Sequence, residues 1–346
     1  MLTTPLFSTG AKLRLLREPF VGRCRDGVEE SVAQFVERRL GREFLDRAID
    51  PMVAGIYAGD PQALSVAHAF PRIKALEDEY GSLIRGRILG ARARARRGAV
   101  ARDRAPMFSF DEGLQILPDA LAADLGDAVT LGSPVAEVRS SQGGFTVATP
   151  AGSAEHAAVV FCGTGPGLAS LRLDGEPLEV FSTIRYAPVA SVVLGFRREE
   201  VAHPCAGFGL LVPRVEGLRI LGTLFSSSLF PGRAPEGHMT LTSYLGGARH
   251  PDLAPLPADT LEGIVREDLR TLLGATGEPT FRHHAFYPRA IPQYEVGYGR
   301  FLERMAGLEA GAPGFFIAGH IRNGVSLGDS IAAGVRAAER VAARLA

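Results

Sequence analysis

Apolar positions between residues 28 and 90 recur at helical spacing. Val32, Phe35, Val36, Leu40, Phe44 and Leu45 fall on one helical face. Gly41 interrupts the run, and Pro51, Pro61 and Pro71 divide the stretch into short helices. Met1 to Phe20 hold two prolines and scattered apolar residues with no cap ahead of a periodic run, and do not read like the beginning of a domain. From residue 107 the texture changes. Leu114–Leu125 predicts a helix. Val129–Leu131, Val135–Arg139, Phe145–Ala148 and Ala157–Phe161 are short, mostly β-branched runs set off by Gly, Ser and Pro turns, and predict strands. Val189–Phe196, Gly207–Val212, Ile220–Phe225, Met239–Leu245 and Thr280–Tyr287 predict a second sheet, with a helix at Leu261–Leu273 before its last strand. A strand at Gly314–Ala318 and a helix running to Ala346 close the chain. Helices, a small sheet, a larger sheet and a lone strand–helix unit predict the α+β class with interleaved domains.

Composition narrows the partners. Apolar residues make up 46% of 346 residues, enough for a real core. The formal net charge of +0 gives no electrostatic case for nucleic acid. Cys24, Cys162 and Cys205 are far apart and no CxxC occurs, so neither a disulfide framework nor a zinc site is expected, which fits a reducing cytoplasm. The histidines form no HExxH or HxH pattern, and no metal site is expected. No apolar run reaches ~18 residues, so no spanning helix is expected, and the start lacks the apolar stretch of a signal peptide. Ala91–Arg104 carries six arginines. Alternation of Ala and Arg gives no clean helical face, so a solvated helix end or loop is expected, with a patch for anionic lipid or acidic substrate as the alternative.

Three short motifs remain. "FCGTGPGLASL", Phe161–Leu171, follows a strand, but its spacing is GxGxG rather than GxGxxG, and no acidic residue closes a second strand about 20 residues on. It reads as a strand-to-helix turn. "GVSLG", Gly324–Gly328, matches GxSxG, yet a serine hydrolase needs Asp or Glu and then His downstream, and the last histidine, His320, precedes Ser326. Ser326 with Asp329 fits a capping box for the last helix, whose Ile331, Val335, Ala338, Ala342 and Leu345 share a face. Gly319, Gly324 and Gly328 around that cap leave room for a flat ligand against the backbone, and the helix dipole favours negative charge on it.

At "DPMVAGIYAGDPQALSVAHAFPRIKALEDEYGSLIRG", Asp50–Gly86, the chain resembles the oxygen-dependent porphyrinogen oxidases, the protoporphyrinogen and coproporphyrinogen III oxidases of the flavin amine oxidase superfamily. "FSFDEGLQILPDAL", "GFGLLVPRVEGLRILGTLFSSSLFPGRAP", "RAIPQYEVGY" and the opening stretch agree in the same order, so the resemblance covers nearly the whole chain. It implies an FAD-binding α/β part from 107–180 and 301–346, a mixed-sheet substrate domain from 181–300, and a helical membrane-side, substrate-entrance domain from 1–106. The family's N-terminal GxGxxG βαβ unit has no counterpart here, which reads as a start placed too late or a truncated gene.

The resemblance also implies roles. Gly319, Gly324, Val325 and Ser326 match the flavin-facing turn, where the family often has Asn at the position of His320. Val135 matches the residue whose backbone meets the adenine. Leu211, Leu224 and Tyr244 match the apolar residues that sandwich the substrate ring. The activity implied is FAD-dependent oxidation of a porphyrinogen to the porphyrin with O₂ as acceptor, in haem biosynthesis. Because the cofactor carries the chemistry, no acid–base residue is nominated. The implied setting is the cytoplasm, peripheral on the inner face of the membrane. There Leu83, Ile84, Ile88 and Leu89 would dip in while Arg85 and Arg87 meet headgroups. A homodimer, the choice between the two porphyrinogens, a related flavin amine oxidase or desaturase activity, and a non-catalytic remnant all stay open.

Overall fold

The computed structural model describes residues 4–24, 27–96 and 108–346. Its strands in chain order are β1 (Glu137–Ser141), β2 (Gly144–Thr149), β3 (Gly152–His156), β4 (Val159–Phe161), β5 (Arg172–Leu173), β6 (Glu176–Pro177), β7 (Tyr186–Arg197), β8 (Gly209–Leu211), β9 (Ile220–Leu224), β10 (His238–Gly246), β11 (Phe281–Pro292) and β12 (Phe315–Ile317). They belong to two compact units, Met1–Asp111 with Tyr186–Val296, and Glu112–Arg185 with Gly297–Ala346. The helical residues that open the chain thus share a unit with the large sheet.

In the first unit the sheet order is β11-β7-β10-β9-β8, antiparallel throughout. Alternation along β7 divides its two faces. Ala190, Val192, Leu194 and Phe196 join the core formed with Leu261, Val265, Leu269 and Leu273 of the helix Ala258–Leu273. Each such Val, Leu or Phe side chain contributes about 1.5–3 kcal/mol on burial. The helix stops where Gly274, at φ +63°, supplies the left-handed residue that a side chain would resist. Residues ahead of the sheet form short helices, as their prolines predict. Val32–Arg39 starts at a full capping box between Ser31 and Gln34. Arg39, fully buried, bonds Glu18 and Glu77, both also fully buried, at 2.6 Å each. Glu18 in turn accepts from the backbone N–H groups of Leu83 and Ile84 and caps the helix Leu83–Arg96. The opening stretch does carry a cap: Ser8 accepts from the Ala11 N–H and starts a helix Thr9–Arg17 that buries nothing, while Phe7 stacks on Phe44 at 4.9 Å. Of the arginine-rich segment, the backbone of Ala91–Arg96 continues the helix, and Arg97–Arg104 lie outside the described residues.

In the second unit β3, β2 and β1 form an antiparallel meander, β5 joins β1 in parallel, and β6 closes the sheet. A separate parallel pair, β4 with β12, sets Phe315 beside Val159. Val129–Leu131 is not a strand. It follows a 3₁₀ turn, Gly126–Ala128, has no partner in a ladder, and leaves Leu131 87% exposed. β3 escaped the pattern because Gly-Ser-Ala-Glu-His has no buried face. A helix, Gly299–Gly311, buries Phe301, Met305 and Leu308 at i, i+4 and i+7. The last helix, Leu327–Leu345, starts at Ser326 as expected, but it buries Ala333 and Ala337, while Ile331 and Val335 stay about half exposed.

Candidate functional site

The first unit holds a cavity of about 450 Å³ between one helix and the face of the sheet opposite its core. The helix is Asp50–Tyr57, and it is fastened at both ends. At its start the buried Asp50 carboxylate accepts from the Arg214 N–H and the Arg249 guanidinium, both at 2.8 Å. At its end the Ala58 carbonyl accepts from Ala248 at 2.7 Å. Between these points Ala54, Gly55 and Ala58 present small residues to the cavity. A Cβ on Gly55 would stand 2.7 Å from Leu211 Cδ2, so a larger residue there would have to displace the Leu211 side chain.

Leu211, Leu224 and Tyr244 come from β8, β9 and β10 and all line this cavity. Tyr287 of β11 lines it too. Burial pushes the Tyr244 phenol up, and the neighbouring Tyr287 adds to the shift, so the ring meets a ligand uncharged at neutral pH. Periodicity alone missed Tyr287 as a site residue, because Pro288 reads as the end of a strand. The signal was the next apolar pair, Ala290 and Ile291, which also line the cavity.

The second unit holds the turn Gly319–Gly328. Gly319 and Gly324 have φ of +93° and +111°. A Cβ on Gly324 would stand 2.6 Å from the Asp329 carboxylate. The turn is braced from within: Gly319 donates to Asn323 Oδ1, its carbonyl accepts from Arg322 and Asn323, and Tyr298 donates its hydroxyl to the Ile321 carbonyl at 2.7 Å. Ser326 Oγ accepts from the Asp329 N–H at 3.0 Å and donates to the Asp329 carboxylate at 2.7 Å. Only one half of the expected capping box is made, because Asp329 takes the hydroxyl proton rather than reaching the Ser326 N–H. Both bonds tie Ser326 to the helix start and leave it no role as a nucleophile. Burial holds His320 below its ordinary value, so it is neutral at pH 7.

Gly319, Gly324, Val325 and Ser326 share this turn, whereas Val135, 39% exposed, lies on the loop leading into β1. The glycine motif at Gly163–Gly167 opens a helix of 5 residues capped by Thr164, with Gly165 packed 2.9 Å, by its missing Cβ, from the Phe181 carbonyl. It is a packing turn. Among the described residues no three His, Cys, Asp or Glu could hold a metal.

The model for flavin-containing amine oxidoreductases matches residues 2–342. The chain belongs to that family. Protoporphyrinogen oxidase 2 of Arabidopsis thaliana is 34% identical over 373 residues, 99% of this chain and 73% of that protein. Coproporphyrinogen III oxidase of Bacillus subtilis is 27% identical over 334 residues, 95% and 71% of the two chains. The crystal structure of an Exiguobacterium protein assigned as a protoporphyrinogen oxidase superposes with a TM-score of 0.76 at 22% identity, covering 99% of this chain and 74% of that one. The fold is therefore that of a flavin amine oxidase, and this family member is an oxidoreductase with a flavin cofactor. The turn fits one at the helix start, where the first N–H groups of the helix Leu327–Leu345, which lack partners within the helix, favour an electron-rich edge.

Proposed function

We propose that the chain serves the oxidation of a porphyrinogen, protoporphyrinogen IX or coproporphyrinogen III, to the porphyrin, with FAD as the flavin and O₂ as the acceptor. The observation that carries this reading is the cavity: three residues matched to the substrate sandwich converge on one apolar space from three strands. Relatives named for both porphyrinogens, aligned along nearly all of the chain, support it. When bound, the flavin supplies a two-electron acceptor for the ring and a route onward to O₂. The chain's own residues bind and orient. Leu211, Leu224 and the neutral Tyr244 hold an apolar ring and keep water from it. Gly319 to Ser326 receive the flavin's electron-rich edge, and Val135 offers its backbone to the adenine. No residue of the cavity is assigned a proton.

The exposed Ile88 and Leu89, with Arg85 and Arg87 beside them, support peripheral contact with an anionic membrane. No helix among the described residues is long and apolar enough to cross one. The activity is tested by adding FAD and each porphyrinogen to the chain in air and following porphyrin fluorescence. Flavin-dependent porphyrin formation above the spontaneous rate is the expected result. None of these 346 residues forms a GxGxxG loop. A polypeptide of these residues alone is therefore expected to need FAD in large excess. Stoichiometric FAD retained through purification would contradict that, and FAD-saturated protein that adds nothing to the spontaneous rate would overturn the activity.

A further inference from the structure

The cavity in the first unit is apolar, and apolar walls alone do not fix the rotation of a ring within its plane. A ligand with acidic arms needs a cation where the cavity opens. The lining residues Phe208, Leu211 and Tyr287 are each about half exposed and mark that opening. Most arginines near it in the chain are already committed. Arg214, three residues after Leu211, pairs with Asp50 and Asp60. Arg219, two before Leu221, pairs with Glu267 and Asp268. Arg249 pairs with Asp50.

Arg289 differs. It lies between Tyr287 and Ala290, which both line the cavity. Its side chain is exposed and makes no hydrogen bond or ion pair with any other described residue. Its backbone is also special. Tyr287 pairs with Val189 and Ile291 with Ala187, so Pro288, Arg289 and Ala290 together stand opposite Pro188 alone. A bulge of this kind breaks the alternation of a strand and re-aims its side chains, and bulges gather beside active sites. β11 is an edge strand, where such a bulge and its proline are tolerated.

We propose that Arg289 is the anchor for a carboxylate arm of the ligand at the mouth of this cavity, and so a determinant of its orientation and of how many acidic arms it carries. The inference rests on reading the cavity as the porphyrinogen site. A guanidinium suits the task because its planar fork meets a carboxylate with two parallel hydrogen bonds.

The test uses the whole chain and the porphyrin products, whose binding is read by fluorescence without turnover. Coproporphyrin III and its tetramethyl ester are titrated into wild type, Arg289→Gln and Arg289→Lys in one detergent-containing buffer. Arg289→Gln is expected to weaken the free acid about tenfold and leave the ester unchanged, with partial recovery in Arg289→Lys. Added salt should weaken the free acid in wild type more than in Arg289→Gln. Arg289 is exposed and unpaired, so thermal unfolding of the variants should match wild type. Wild type binding both porphyrins while Arg289→Gln changes neither, or weakens both equally, overturns the anchor alone. Wild type binding neither overturns the cavity reading and the anchor with it.

Discussion

The cavity wall of the first unit draws on residues as far apart as Gly55 and Ile291, whereas the turn of the second lies wholly within Gly319–Gly328. The cavity is made of side chains: Leu211, Leu224, Tyr244 and Tyr287 each come from a different strand, and the helix Asp50–Tyr57 contributes mainly by being small. The turn is made of backbone, with two glycines in conformations side chains resist and a serine committed to the next helix. Apolar side chains can be exchanged at similar volume with modest loss. Gly324 resists an added Cβ, because its φ is +111° and the Asp329 carboxylate would stand 2.6 Å away. The two regions should therefore respond to different mutations, and each can be broken while the other is read.

The largest effect is expected from the framework of the first unit. Arg39→Met leaves the buried Glu18 without its cation and Glu77 with only Arg38 and Lys74, and losing one partner of a buried pair costs about 3–5 kcal/mol. Denaturant unfolding should report that loss, and a change below about 1 kcal/mol would show that the network is idle. Acid should reveal the same charges. Burial pushes the Glu77 carboxyl up, but Arg38 and Arg39 outweigh it and hold it at about 2. Its folded value thus lies below its unfolded one, so its contribution is complete above the ordinary carboxylate range and fades as pH falls toward 2. In Arg39→Met that loss should begin at higher pH.

The cavity comes next. Leu224→Ala should remove packing worth about 1–3 kcal/mol. If the ring is held equally in ground and transition states, KM rises and kcat stays nearly level. Tyr244→Asp should do more damage, because a carboxylate would lose hydration in an apolar space and repel the substrate's acidic arms. If both variants lose folding stability while KM is unchanged in what remains folded, the three residues are core and nothing more.

The two regions also differ in how far the sequence discloses them. Ser326, Asp329 and the glycines around them lie within ten residues, so spacing alone marks a capped turn. Leu211, Leu224 and Tyr244 are legible only through the family resemblance, because no local pattern says that three strands share one face. The sequence pattern ends β11 at Tyr287, since Pro288 and Pro292 look like stops. On an edge strand a missing N–H costs no ladder bond, and the strand runs on to Pro292. The helix Leu327–Leu345 shows what a period leaves open. Its period places Ile331 and Val335 on one face, but spacing does not say which face is buried, and Ala333 and Ala337 are the buried residues.

Ser326→Ala makes the smallest and most local break. It removes the acceptor for the Asp329 N–H and the donor to the Asp329 carboxylate. Loss of an N-cap serine costs about 1 kcal/mol. The variant should fold, with faster amide exchange in the first turn of Leu327–Leu345 and weaker FAD binding by a few-fold. Porphyrin affinity of the first unit should not move, since no cavity-lining residue belongs to the turn. Equal loss of flavin and porphyrin would mean that one surface holds both, and unchanged amide exchange would mean that the helix start is held by contacts other than its cap.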